Sequence, residues 1–153
     1  MREILFRGKR MDNGKWIEGF YGVKIGDKHY IIIDKLAPAP CCDSYFVDCA
    51  VIPETVGQYT GLKDCVGKKI FEGDIFVDTD NQCVGVVEWC HGGFNINWYG
   101  KDGLMMEYGY DECAGEWGLF ETEPCSEIYV DELEVVGNIH DNPELLKEAG
   151  KDE

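Results

Sequence analysis

The sequence predicts a mainly β protein, a sandwich or small barrel carrying one short C-terminal helix. Three observations carry that prediction. Short extended apolar runs recur at close intervals along the chain, and no long stretch repeats its apolar residues with a 3.6-residue period. Glycine makes up 19 of 153 residues, about 12% against a usual ~7%, as turn-rich β proteins require. Short strands bounded by glycine-rich turns pack as sandwiches or barrels. At ~150 residues per domain, the length allows about one domain.

Taken in order, Ile4-Leu5-Phe6 predicts a short strand, and Gly8 through Asn13-Gly14 supplies turn chemistry. Trp16 to Ile25 and Lys28 to Asp34 read as a β-hairpin closed at Gly26-Asp27. Ala37-Pro38-Ala39-Pro40 stops regular structure and forms a connector, because its prolines lack backbone donors. Tyr45 to Ile52 is again extended, followed by Pro53. A strand is expected over Val56 to Thr60, a polar glycine-bounded loop over Gly61 to Lys69, and a bend at Gly73-Asp74 into Ile75-Phe76-Val77. Asp78 to Gln82 turns the chain into a strand from Val84 to Cys90, which Gly92-Gly93 joins to Phe94-Asn95-Ile96-Asn97-Trp98. There the apolar residues share one face and the asparagines the other, a period of two. Trp89, Phe94 and Trp98 are assigned to the core as bulky fillers, whereas exposure of Tyr59, Trp89 or Tyr99 would point to a peptide or base-stacking groove. Residues 100–127 predict a long loop or loosely paired insertion. A last strand is expected at Glu134-Val135-Val136-Gly137-Asn138, and Asn142-Pro143-Glu144 starts a short helix with a fraying tail.

No apolar run approaches the ~20 residues of a membrane span, and the N-terminal apolar residues meet charge at once, so neither membrane insertion nor a secretory signal is expected. The cytosol is then the expected compartment, and thiols stay reduced there. The eight cysteines include no pair at the C-x₂₋₄-C spacing of structural zinc sites. They read as small buried or half-buried thiols, with a zinc site from Cys41, Cys42, Cys49 and a distant ligand as the alternative. The net charge of −16 is uneven: residues 1–35 hold eight Lys/Arg against five Asp/Glu, and Glu107 to Glu134 hold ten acids with no Lys or Arg. That stretch reads as a solvated face, a docking surface for a basic partner such as the N-terminal segment of another copy, or a mimic of nucleic acid. Direct nucleic-acid binding is disfavoured, since the chain lacks a basic stripe beyond its N-terminal segment, where Arg7, Lys9, Arg10 and Trp16 are the candidate groove residues.

Motifs for chemistry fail in detail. Gly61 to Lys69 has five residues between its glycines and Lys69 where a phosphate loop needs a hydroxyl. Asp78 to Cys83 lacks the calcium-loop glycine, and Trp89 stands where the bidentate glutamate belongs. His29, His91 and His140 lie far apart in sequence, and acid pairs such as Asp78/Asp80 or Asp111/Glu112 are unremarkable in so acidic a chain. No catalytic residue, cofactor site or metal site is assigned.

Three stretches carry a family resemblance. They are Phe6-Arg7-Gly8-Lys9 with Asn13-Gly14-Lys15-Trp16, Pro53 to Asp64 with Gly67 to Ile75, and Val136 to Leu146. Together they resemble the YopX family of phage and prophage proteins, over nearly the full chain except residues 36–48 and 100–127. The resemblance implies a phage or prophage origin, a bacterial cytoplasmic setting, an SH3-like β-barrel in the C-terminal part and self-association, and it brings no catalytic residues. Among the shared residues, Gly57, Gly61, Gly67 and Gly73 read as turn glycines, and Asp64 as closing a local turn with its own side chain.

The expected organisation is therefore an N-terminal β subdomain with its connector over 1–52, an SH3-like barrel with an acidic insertion over 53–141, and a helix with its tail over 142–153. The expected function is a non-enzymatic protein-binding or assembly module that forms homo-oligomers, without cofactor or membrane. A nucleic-acid-associated protein using the basic N-terminal segment, or a DNA mimic using the acidic face, is the alternative.

Overall fold

A computed structural model describes residues 3–36, 44–79, 83–90, 93–100, 103–107 and 133–148. The chain is mainly β, with two antiparallel sheets and one short helix among the described residues, and divides into compact units Met1–Tyr59 and Thr60–Glu153.

The first unit holds β1 (Phe6–Lys9), β2 (Trp16–Lys24), β3 (Lys28–Leu36), β4 (Ser44–Ala50) and the start of β5 (Gly57–Lys63). Their hydrogen-bonded order is β4-β3-β2-β1-β5. The expected hairpin is present as β2 and β3. Its turn places Gly26 and Asp27 at φ +85° and +58°, consecutive left-handed residues that match the twist of a two-residue hairpin. Gly8, expected in a turn, lies inside β1, and the strand begins at Phe6 rather than Ile4. The reason is packing: a β-carbon on Gly8 would stand 3.2 Å from the Val51 side chain. Ile31, Cys49 and Val51 form the buried centre of this unit. Pro53–Thr55 makes a single 3-10 turn, where the Thr55 hydroxyl accepts from the Lys9 backbone N–H at 2.9 Å and donates to the Ile52 carbonyl at 2.7 Å. The connector at Ala37 to Pro40 lies outside the described residues.

In the second unit the end of β5 neighbours β6 (Lys69–Phe71). The other sheet runs β10-β9-β8-β7-β11, from β7 (Asp74–Asp78), β8 (Cys83–Cys90), β9 (Gly93–Gly100), β10 (Gly103–Glu107) and β11 (Gly137–Asn138). Neighbours along β7 and β8 are buried alike: Ile75 and Phe76 are fully buried, as are Val86 and Val87. A strand with continuous apolar residues is covered on both faces. On one face Ile70, Phe76, Val87, Phe94, Ile96, Trp98 and Val135 form the main core. On the other, Ile75 and Val84 pack with Ile139 and with Leu145 and Leu146 of α1 (Pro143–Glu148).

Four expectations for the chain from Gly57 onward are revised. The loop expected from Gly61 to Lys69 shrinks to residues 64–68, because β5 runs on to Lys63 and Lys69 opens β6. Gly57 sits in β5 opposite Arg7 rather than in a turn. The last strand is only Gly137–Asn138; residues 133–136 are tied elsewhere, with Leu133 accepting from the Cys65 N–H at 3.0 Å. Trp89 is 52% exposed, not core, although its ring meets Phe94 edge-on at 4.7 Å.

Asp64 is the fastening point of the 64–68 turn. One carboxylate oxygen accepts from the Lys68 and Val66 N–H groups at 2.7 and 3.1 Å, and the other from Val135 N–H at 3.0 Å. Burial pushes this carboxyl up, but the three N–H donors (Val135, Lys68, Val66) and then the Lys68 charge outweigh it and hold it below its ordinary value. The helix begins at Pro143 as expected, with the Leu145 N–H bonded to the Asn142 carbonyl at 3.2 Å. The Asn142 side chain points back instead, its carbonyl oxygen accepting from the Asn138 N–H at 3.4 Å.

Candidate protein-binding surface

In the first unit, the strand register places Lys9 opposite Trp16 and Arg7 opposite Glu18, so all four residues fall on one sheet face. The Arg7 guanidinium lies 4.8 Å and the Lys9 ammonium 5.6 Å from the Trp16 ring, one indole facing two cations. Three of the four candidate groove residues therefore meet. Arg10 does not join them: its guanidinium binds Asp12, with an Nε–Oδ1 distance of 2.9 Å, which raises the arginine and lowers the carboxyl from their ordinary values. Arg7 is itself buried, with 9% exposure, so the group is a packed stack rather than an open basic groove.

The same sheet face continues across β2, β3 and β4. Phe20 stands opposite Ile32, and Ile32 opposite Asp48; Phe46 stands opposite Asp34, and Gly22 opposite Tyr30. Phe20 is 56% and Phe46 66% exposed, with Tyr30 and Ile32 half-buried beside them. Lys24 lies 4.7 Å over the Tyr30 ring and pairs with Asp48, whose hydrogen bond raises the lysine above its ordinary value. The result is an aromatic patch whose flanking charges are partly neutralised. On the opposite face, Phe6 packs at 5.3 Å on Tyr21, whose hydroxyl meets His29 Nδ1, while His29 Nε2 lies 3.6 Å from Asp27.

In the second unit a polar group stands on the face opposite Phe94, Ile96 and Trp98. Asn97 Nδ2 donates to Glu88, and the Tyr99 hydroxyl donates to the same carboxylate oxygen at 3.4 Å. Asn95 and Asn97 are buried. Sequence reasoning assigned the asparagines a face but no role. The signal was available: polar residues alternating along a strand that is otherwise covered on both sides. Of the three conditional aromatics, Tyr59 is buried, Tyr99 half-buried and Trp89 exposed.

Cys41 and Cys42 lie outside the described residues, and Cys49 is buried in β4 with a free thiol. Cys83 is buried and in no disulfide, and burial, then Asp78, raises its thiol above the ordinary value. Among the described residues no three His, Cys, Asp or Glu side chains gather to hold a metal, and no helix is long and apolar enough to cross a membrane. Of the acidic stretch, residues 108–132 lie outside the described residues, and Glu134 is exposed.

The chain resembles a solved structure, "Crystal structure of protein EF1440 from Enterococcus faecalis", with a TM-score of 0.52 and 22% identity over 95% of this chain and 99% of that one. Likeness at this identity speaks to fold alone. No curated protein matches the chain. A family model described as YopX protein matches residues 5–147, nearly the whole length. The chain belongs to the YopX family.

Proposed function

We propose that this protein is a non-enzymatic binding and assembly module of phage or prophage origin, acting in the bacterial cytoplasm as a homo-oligomer. The exposed face of β2, β3 and β4 carries the reading. Phe20 and Phe46 stand 56% and 66% open to water on one sheet face. A phenylalanine buries roughly 200 Å², so covering both removes about 240 Å² from water, worth ~6 kcal/mol per copy at ~25 cal/mol per Å². That supports docking against another protein surface. We also propose that the second unit builds an SH3-like barrel, a reading supported by its short strands and tight turns at Gly67 and Gly73.

The test is light scattering coupled to size exclusion, comparing wild type with Phe20→Ser/Phe46→Ser. Wild type is expected above the monomer mass, and the double variant shifts toward monomer with an unchanged circular dichroism spectrum. A wild type that is monomeric at all concentrations, or a variant of unchanged mass, removes the reading.

A further inference from the structure

Among the described residues the two sheets have four edges, and three of them are blunted against pairing with another chain. β6 is three residues long and β11 two, and β10 carries a bulge between Leu104 and Met106. The fourth edge, β4, is different. Its seven residues pair with β3 in unbroken register, from Ser44 opposite Leu36 to Ala50 opposite Tyr30. It contains no lysine or proline, and its one charge, Asp48, is paired with Lys24.

The register shows which backbone groups this edge leaves open. The Val51 N–H bonds the His29 carbonyl at 3.0 Å, so His29 and Val51 form a mutually bonded pair. Such pairs alternate along an antiparallel ladder, so Tyr45, Val47 and Cys49 turn their N–H and C=O groups to β3. Ser44, Phe46, Asp48 and Ala50 turn theirs outward. The Ala50 carbonyl accepts from the Met11 N–H at 3.0 Å, which leaves Ser44, Phe46 and Asp48 as the open edge among the described residues.

Charge selects the occupant. Residues 1–59 hold eight Lys/Arg and eight Asp/Glu, so the whole −16 falls on residues 60–153, with six against 22. A basic partner is drawn to the acidic unit, whereas a second copy is repelled there and meets no such barrier at the neutral unit. The edge also fits its own copy. A two-fold axis at Phe46 sets Phe46 against Phe46 and Ser44 against Asp48 on either side, which uses the whole open edge. An axis at Asp48 opposes two carboxylates directly, and an axis at Val47 needs the Ala50 carbonyl that Met11 already occupies.

We infer that β4 pairs antiparallel with β4 of a second copy through Ser44, Phe46 and Asp48, joining two sheets across a two-fold axis at Phe46. The inference rests on the assembly reading above, since it carries the exposed face of Phe20, Ile32 and Phe46 across the axis. Hydrogen exchange of wild type, read amide by amide when associated and after dilution to monomer, tests it. The Phe46 and Asp48 amides should exchange at least about tenfold slower in the associated protein, while Tyr45, Val47 and Cys49 stay protected in both. Asp48→Pro removes an outward donor without touching the β3 ladder and should weaken association at least about tenfold; Asp48→Ala, which keeps the N–H, should not. The exchange measurement needs no variant and decides the question where the proline disturbs the fold. Phe46 and Asp48 amides that exchange equally fast in both states, or equal effects of the two Asp48 variants on association, overturn this contact and leave the assembly reading standing. A wild type that never associates removes both.

Discussion

Replacing Asp64 with alanine removes the acceptor of three backbone N–H groups at 2.7, 3.0 and 3.1 Å. The three losses are unequal. Val66 and Lys68 lie in an exposed turn, where water replaces the carboxylate, so each costs roughly 0.5–1.5 kcal/mol. Val135 is buried, and stranding its N–H costs about 1–3 kcal/mol more. The sum is about 4 kcal/mol, which lowers the melting temperature of a unit the size of Thr60–Glu153 by at least ~15 °C. Asp64→Asn is informative beside it: its carbonyl keeps the turn bonds while its amide faces the Val135 N–H, so about half the loss remains. Urea unfolding followed by Trp98, buried in the same unit, measures both. The pH dependence has a defined sign. Asp64 is held below its ordinary value when folded, so its contribution is complete above the unfolded value of ~3.9 and disappears as pH falls through the lower folded value. The gap between wild type and Asp64→Asn should therefore begin to narrow below about pH 4 and close only once pH has fallen past the lower folded value. A loss under ~1 kcal/mol for Asp64→Ala would mean the carboxylate does not fasten residue 135 to the turn.

Three further substitutions test the packing. Gly85→Ala places a β-carbon 2.6 Å from Ile96 Cγ2 and 3.0 Å from Trp98 Cε3; an overpacking cost of about 1–3 kcal/mol and altered Trp98 fluorescence are expected. Gly19→Ala meets the Ile32 carbonyl oxygen at 2.3 Å, which is backbone and cannot rotate away, so hydrogen exchange across Tyr30 to Ile33 should accelerate strongly while the second unit keeps its protection. Asn138→Ala removes the acceptor of the His140 and Asp141 N–H groups, both at 3.0 Å; about 1–3 kcal/mol should be lost in urea unfolding.

How far these features were legible depended on whether their cause was local. The Gly26-Asp27 hairpin and the β8–β9 pair were readable because turn conformation and period-two alternation are written in adjacent residues. Glycine was the main source of error. A glycine that permits a left-handed turn and one that permits close packing look identical in sequence, so Gly8 was assigned to a turn although Val51 dictates its role. Gly61 has φ +94° yet lies within β5, which hid both the strand's true end and the three-residue β6 behind it. Trp89 misled differently. It is the register partner of Phe94, but it sits near the hairpin's end, where the core no longer covers its face.

The exposed aromatic face was illegible for a related reason. Phe20 and Ile32 read as ordinary strand residues, and only cross-strand register shows that they share a face with Phe46 while Ile31, Cys49 and Val51 take the buried side. Asp64 shows the limit from the other direction. Its local half, the bonds to Val66 and Lys68, follows from the tendency of aspartate to close its own turn. The bond to Val135 crosses 71 positions of sequence. It also explains why residues 133–136, apolar enough to be read as a strand, do not form one: the Val135 N–H is given to a carboxylate, and the Val136 N–H bonds the Ile75 carbonyl at 3.0 Å just before β11 begins. One buried acid thus sets both the shape of the 64–68 turn and the path of the chain leading into the last strand, so the local turn and the stability of the second unit are coupled through a single side chain.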